Sequence, residues 1–94
     1  MNNHGPRGIY DMAVKILSDL APNTITADPA TIIIHGADSA LESIVLVNMI
    51  LEMEEELSSR RSITIDLVEF IARFDRSITL GEFARELEAR IAKA

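Results

Sequence analysis

The chain has no cysteine, no tryptophan, one tyrosine and three phenylalanines among its 94 residues. Without cysteine there is no disulfide, no thiolate nucleophile and no Cys-ligated metal, so any thiol chemistry has to come from an attached group. With so few aromatic rings the core has to be built mainly from Ile, Leu, Val and Met. No apolar run approaches the ~20 residues needed to cross a bilayer. The opening "MNNHGPRGIYDM" lacks the basic-then-apolar pattern of a secretion signal, and a cytoplasmic location is expected. Internal repeats and low-complexity tracts are missing too.

What is present points to one small domain. An apolar content of 48% argues against disorder, and 94 residues suffice for one core but not two. We therefore expect a single domain over residues 1–94, with residues 1–7 a flexible N-terminal segment. A net charge of −6 disfavours nucleic acid and anionic membranes as partners and makes a basic protein surface the natural one. The acidity is uneven: residues 1–57 hold nine acids and two bases, while residues 58–94 hold six acids and seven bases.

Periodicity predicts four helices, an all-α fold. Ile9, Met12, Ala13, Ile16, Leu17 and Leu20 share one face of a first helix that ends at Pro22-Asn23. The stretch "TITADPATIIIHG" carries Pro29, β-branched residues and Gly36, and reads as a long ordered loop whose Ile32 to Ile34 pack onto the core, with room for a short extended segment. A second helix is expected from about Ser43 to Leu57, and "SSRRS" after it as a flexible connector. The third is expected from Asp66 to Phe74 with Leu67, Phe70, Ile71 and Phe74 on one side. The fourth, with Leu80, Phe83, Ala84, Leu87 and Ile91 on one side, opens with Thr79 and Glu82 at capping-box spacing.

The second helix carries apolar residues on the face that should be polar. At 100° per residue Leu46, Ile50, Met53 and Leu57 form the core stripe, flanked by Met49 and Val47. On the opposite side Ile44 and Leu51 are interleaved with Asn48, Glu52 and Glu55. Such a pattern fits either scattered surface aliphatics on a solvated face or a docking patch whose acids steer a basic partner.

The start of this helix resembles the acyl carrier protein family, four-helix bundles modified with 4′-phosphopantetheine on a serine at the start of the second helix. The family motif is an aspartate, the modified serine and a leucine or methionine, then a helix whose apolar spacing ends in an acidic triplet and a large apolar residue. The literal "GADS" points to Ser39, but Ala40 follows it and the acidic triplet falls out of register. Counting from Ser43 puts Ile44 at +1, Val47 at +4, Ile50 at +7, Leu51 at +8, Glu54, Glu55 and Glu56 at +11 to +13, and Leu57 at +14. Glu42 stands where the family has aspartate, and Ile44 where it has leucine or methionine. The likeness covers residues 32 to 57, and "ITLGEFARELEARI" is similar to the family's closing helix.

The resemblance implies a monomeric, non-catalytic carrier with a phosphopantetheine arm on Ser43, beside Glu42, and with Ser39 as the alternative attachment point. Its cargo would be an acyl or aminoacyl group held as a thioester. It implies docking through Ile44, Asn48, Leu51, Glu52, Glu54 and Glu55, with a phosphopantetheinyl transferase and acyl-loading or acyl-using enzymes as partners. The methionine start and the lack of long linkers suggest a stand-alone carrier. A helix start suits such an attachment, because its unpaired N–H groups and partial positive charge favour a phosphodiester. The cargo could lie against Ile50, Met53, Phe70 and Phe74, residues that equally suit ordinary core packing.

Other readings compete. Asp38 and Ser39 suit a turn or cap before the second helix, and Ser43 could serve likewise. A hydrolytic set of His35, Asp38 and Ser39 or Ser43 lacks a strand-turn-helix elbow, and metal binding by His35, Asp38 and Glu42 lacks an established spacing. An interaction module that uses the same acidic-apolar face without any arm is the main rival.

Overall fold

A computed structural model describes residues 7–93. The segment expected to be flexible, including His4, lies outside these residues except for Arg7, which opens the first helix. The described chain is mostly helical: α1 (Arg7–Leu20), α2 (Ser43–Arg61), α3 (Leu67–Ala72) and α4 (Leu80–Lys93), with short strands β1 (Ile33–His35) and β2 (Ile78–Thr79).

Each helix buries one face. α1 sinks Ile9, Ala13, Ile16 and Leu17 against α2 and α4 and leaves Met12 and Leu20 half-buried. It ends because Pro22 cannot continue it: Ala21 N–H donates to the Leu17 carbonyl at 2.8 Å, and Pro22 opens a short 3₁₀ turn. A second such turn, Pro29–Thr31, leads into β1. α4 buries Leu80, Phe83, Ala84 and Leu87, and α3 contributes Leu67, Phe70 and Ile71. Phe70 stacks edge-on against Phe74 at 5.6 Å and Phe83 at 5.8 Å between ring centres, so all three phenylalanines meet at one spot. Among the described residues no charged or polar side chain is buried.

Three expectations change. The expected all-α fold has one exception, a two-stranded antiparallel sheet in which Ile33 faces Thr79 and His35 faces Ile78 across an irregularity. Ile34 and Ile78, both fully buried, anchor the two strands, and their β-branched side chains suit an extended backbone. Gly36 closes β1 with φ +107°, and a Cβ there would come within 2.6 Å of the Ser77 backbone, so the position requires glycine.

The second change concerns α2, which runs four residues past Leu57. "SSRR" is therefore helical rather than a flexible connector. Glu56 pairs with Arg60 one turn on at 2.8 Å, and Arg60 and Arg61 favour the negative end of the helix dipole. Ser62 then takes a left-handed conformation, and Ile63 N–H returns to the Leu57 carbonyl at 3.0 Å.

The third is the end of α3. It stops at Ala72, and Phe74 packs half-buried from the following turn.

Candidate functional site

The approach to α2 is a sequence of small backbone closures. Ser39 N–H donates to the Gly36 carbonyl at 3.1 Å and Ala40 N–H to the Ile33 carbonyl at 2.8 Å, which ties the turn to β1. Leu41, buried, pins the segment to the core. Glu42 takes the cap position with extended geometry, and its carbonyl accepts from Leu46 N–H at 3.1 Å. Ser43 is the first helical residue and is exposed.

The two serines thus sit in different places. The Ser39 hydroxyl accepts from Leu41 N–H at 3.1 Å and lies 3.2 Å from the Leu41 carbonyl, so it is occupied inside the turn. The Ser43 hydroxyl has no hydrogen-bond partner among the described residues and stands at the helix start.

The helix starts differ as well. At α1 the Glu88 carboxylate accepts from Ile9 N–H at 3.3 Å. At α3 Glu54 accepts from Leu67 N–H at 2.7 Å and Asp66 from Glu69 N–H at 3.0 Å. At α4 Thr79 and Glu82 form the expected reciprocal box, with Glu82 N–H donating to Thr79 Oγ1 at 3.1 Å and Thr79 N–H to Glu82 Oε1 at 2.9 Å. The Thr79 N–H, and then Arg76 nearby, hold the Glu82 carboxyl below its usual range against the opposing pull of desolvation. α2 has no side-chain cap and no acid in its first turn. Among the described residues its first N–H groups have no side-chain acceptor, and they lie beside the hydroxyl of the exposed Ser43.

The outer face of α2 is partly as expected. Ile44 is 62% exposed and Leu51 50%, and Asn48, Glu52 and Glu55 are exposed around them. Val47, expected on the edge of the core stripe, is 43% exposed, because the buried stripe runs through Met49, Ile50, Met53 and Leu57 and leaves Leu46 only half-buried. Glu54 differs from the other expected docking residues: half-buried, it spends one oxygen on the start of α3. Val68 on α3, 49% exposed, was not foreseen. With Leu67, Phe70 and Ile71 turned inward, residue 68 falls on the outer side of its helix, and that spacing was available to find it.

The remaining candidates separate. His35 Nε2 lies 3.2 Å from the Phe74 carbonyl, and no hydrogen bond among the described residues joins His35 or Asp38 to either serine. No described group of three His, Asp or Glu side chains is placed to hold a metal ion, and His35, Asp38 and Glu42 are not brought together as one. Ile50, Met53 and Phe70 belong to the continuous core, with Phe74 at its edge. A depression of about 320 Å³ lies beside Ser43, walled by Ile34, His35, Leu41 and Leu46. A larger groove of about 760 Å³ lies away from it, between Tyr10, Ala30 and α4, where Glu88 is already committed to Ile9.

Among the described residues no helix is long and apolar enough to cross a membrane. Compared with protein-family models, with curated proteins and with solved structures, the chain finds no match.

Proposed function

We propose that this chain is a carrier protein of the acyl-carrier type, its four helices forming the bundle of that family, with a 4′-phosphopantetheine arm on Ser43. The observation that carries the reading is the start of α2, where an exposed serine hydroxyl stands at a helix end without a side-chain cap. A phosphodiester on that oxygen would be met by the free N–H groups of the first turn and by the positive end of the helix dipole. The attached group supplies the thiol this cysteine-free chain lacks, which holds an acyl or aminoacyl cargo as a thioester. Ser43 anchors, and the chain itself catalyses nothing.

The exposed residues next to the attachment point support the same reading. Ile44 and Leu51, with Val47, supply apolar contact, while Glu52 and Glu55 attract the basic docking surface of a transferase or an acyl-loading enzyme. Glu54 braces α3 and contributes to this face only indirectly.

Incubation with coenzyme A and a broad-specificity phosphopantetheinyl transferase, followed by intact-mass measurement, tests the proposal. The wild type and the Ser39→Ala variant gain one phosphopantetheine, and Ser43→Ala gains none. A wild type that stays unmodified favours the second reading, an interaction module that uses the exposed Ile44, Val47 and Leu51 of α2 without an arm. The exposure of Ile44, Val47 and Leu51 along one side of α2, which stands whether or not an arm is present, is what favours the module.

A further inference from the structure

The stretch between α2 and α3, Ser62 to Asp66, forms no helix, strand, turn or bend. Asp66 is extended, at φ −87° and ψ 94°, and Ile63 and Ile65 are half-buried while Thr64 between them is exposed, the alternation of an extended chain. Ile63 N–H returns to the Leu57 carbonyl, and the Asp66 carbonyl accepts from Phe70 N–H. Between those two points the N–H groups of Thr64, Ile65 and Asp66 and the carbonyls of Ile63, Thr64 and Ile65 have no hydrogen-bond partner among the described residues. This is a strand edge without a second strand.

A groove of about 480 Å³ lies beside this edge, within the roughly 300–1,000 Å³ of ligand clefts. Ile63 and Ile65 line it together with Ile91 of α4, and all three are half-buried, so they rest on the core and still present apolar surface. Arg90, also in the wall, is exposed and forms no ion pair among the described residues. The one acid in the wall, Asp66, is committed to Glu69 N–H at 3.0 Å. Unpaired backbone suits another backbone, the isoleucines suit apolar side chains, and the free guanidinium suits a carboxylate.

We propose that this groove takes the C-terminal end of a partner protein, added in extended form as a strand along residues 63–65. Its alternate apolar side chains lie against Ile63, Ile65 and Ile91, and its terminal carboxylate meets Arg90. A chain end fits better than a continuing strand, because the edge is only three residues long between the left-handed Ser62 and the start of α3. α2 has 19 residues, so this groove lies about 27 Å along the helix from Ser43. A partner held there leaves the start of α2 and its exposed apolar residues free, and the proposal does not depend on the carrier reading.

The test titrates ¹⁵N-labelled full chain with the peptides acetyl-Thr-X-Thr-X, X being Val, Ile, Leu or Phe, each as the free acid and as the C-terminal amide, up to millimolar concentration. At least one free acid is expected to shift the Thr64 and Ile65 amide resonances and to slow their hydrogen exchange. Its amide, or the Arg90→Gln chain, is expected to bind roughly twofold to fivefold more weakly, the worth of an exposed ion pair. The two changes together are expected to weaken binding no further than either alone, because they remove the same contact. No shift at residues 63–66 with any of the peptides overturns the proposal, as do acids and amides that bind equally. Shifts there that grow with chain concentration before peptide is added assign the edge to a second copy of the chain and also overturn it.

Discussion

The starts of α4 and α2 are approached through similar polar turns but are finished differently. At α4, Thr79 and Glu82 exchange hydrogen bonds, Arg76 reinforces Glu82, and the helix start is closed by its own side chains. At α2, Glu42 occupies the cap position with no side-chain bond, while the nearest capping hydroxyl, Ser39, serves the turn instead. Closing a helix start stabilises it locally; leaving it open costs some stability and keeps N–H groups available to an external anion. The difference is that between a structural end and a candidate binding end.

The comparison can be broken most strongly at α3. Glu54→Ala removes the acceptor of Leu67 N–H, and a loss of about 1–2 kcal/mol is expected, as for a hydrogen bond to a charged group near the surface. In a domain of this size that lowers the melting temperature by roughly 4–8 °C per kcal/mol, which thermal unfolding reads directly. Breaking the α4 box with Thr79→Ala is expected to cost about 1 kcal/mol by the same measurement.

Sharpening the contrast takes the opposite change. Glu42→Asp offers α2 a side chain short enough to cap, and unmodified chain should gain roughly 0.5 kcal/mol. The gain should shrink in the phosphopantetheine-modified chain, where the same N–H groups already have a partner. Equal gains in both forms would show that the arm's phosphate does not meet this helix end.

The smallest effect is in the pH dependence. Because the folded-state Glu82 carboxyl is more acidic than that of an unfolded glutamate, its contribution is complete above the ordinary glutamate pKa of about 4.3. It is lost as pH falls through the lower folded-state value. Glu82→Gln should therefore flatten the acid limb of a stability-against-pH curve. A Glu82→Gln limb as steep as wild type would show that the α4 box does not draw on charge.

Much of the fold was legible from local rules. The inner faces of α1 and α4 follow 3.6-residue spacing, and the Thr79–Glu82 box forms as its spacing predicts. The last turn of α2 was not legible, since Ser58 to Arg61 carry no apolar signal and are held by the Glu56–Arg60 pair and the left-handed Ser62. Two strands of three and two residues are too short for alternation to show. At the candidate site, the exposure of Ile44 and Leu51 followed from helical geometry. That of Val47 depends on where the buried stripe through Met49 lies, which only packing decides. Glu54 and Glu88 were opaque for another reason: the N–H groups they serve lie 13 and 79 residues away along the chain.

The most direct measurement of the central claim locates the modification on wild-type chain. After treatment with coenzyme A and a phosphopantetheinyl transferase, fragmentation of the tryptic peptide that spans residues 16–60 should place the added group on Ser43. The group found on Ser39, or an unmodified peptide throughout, would contradict the account.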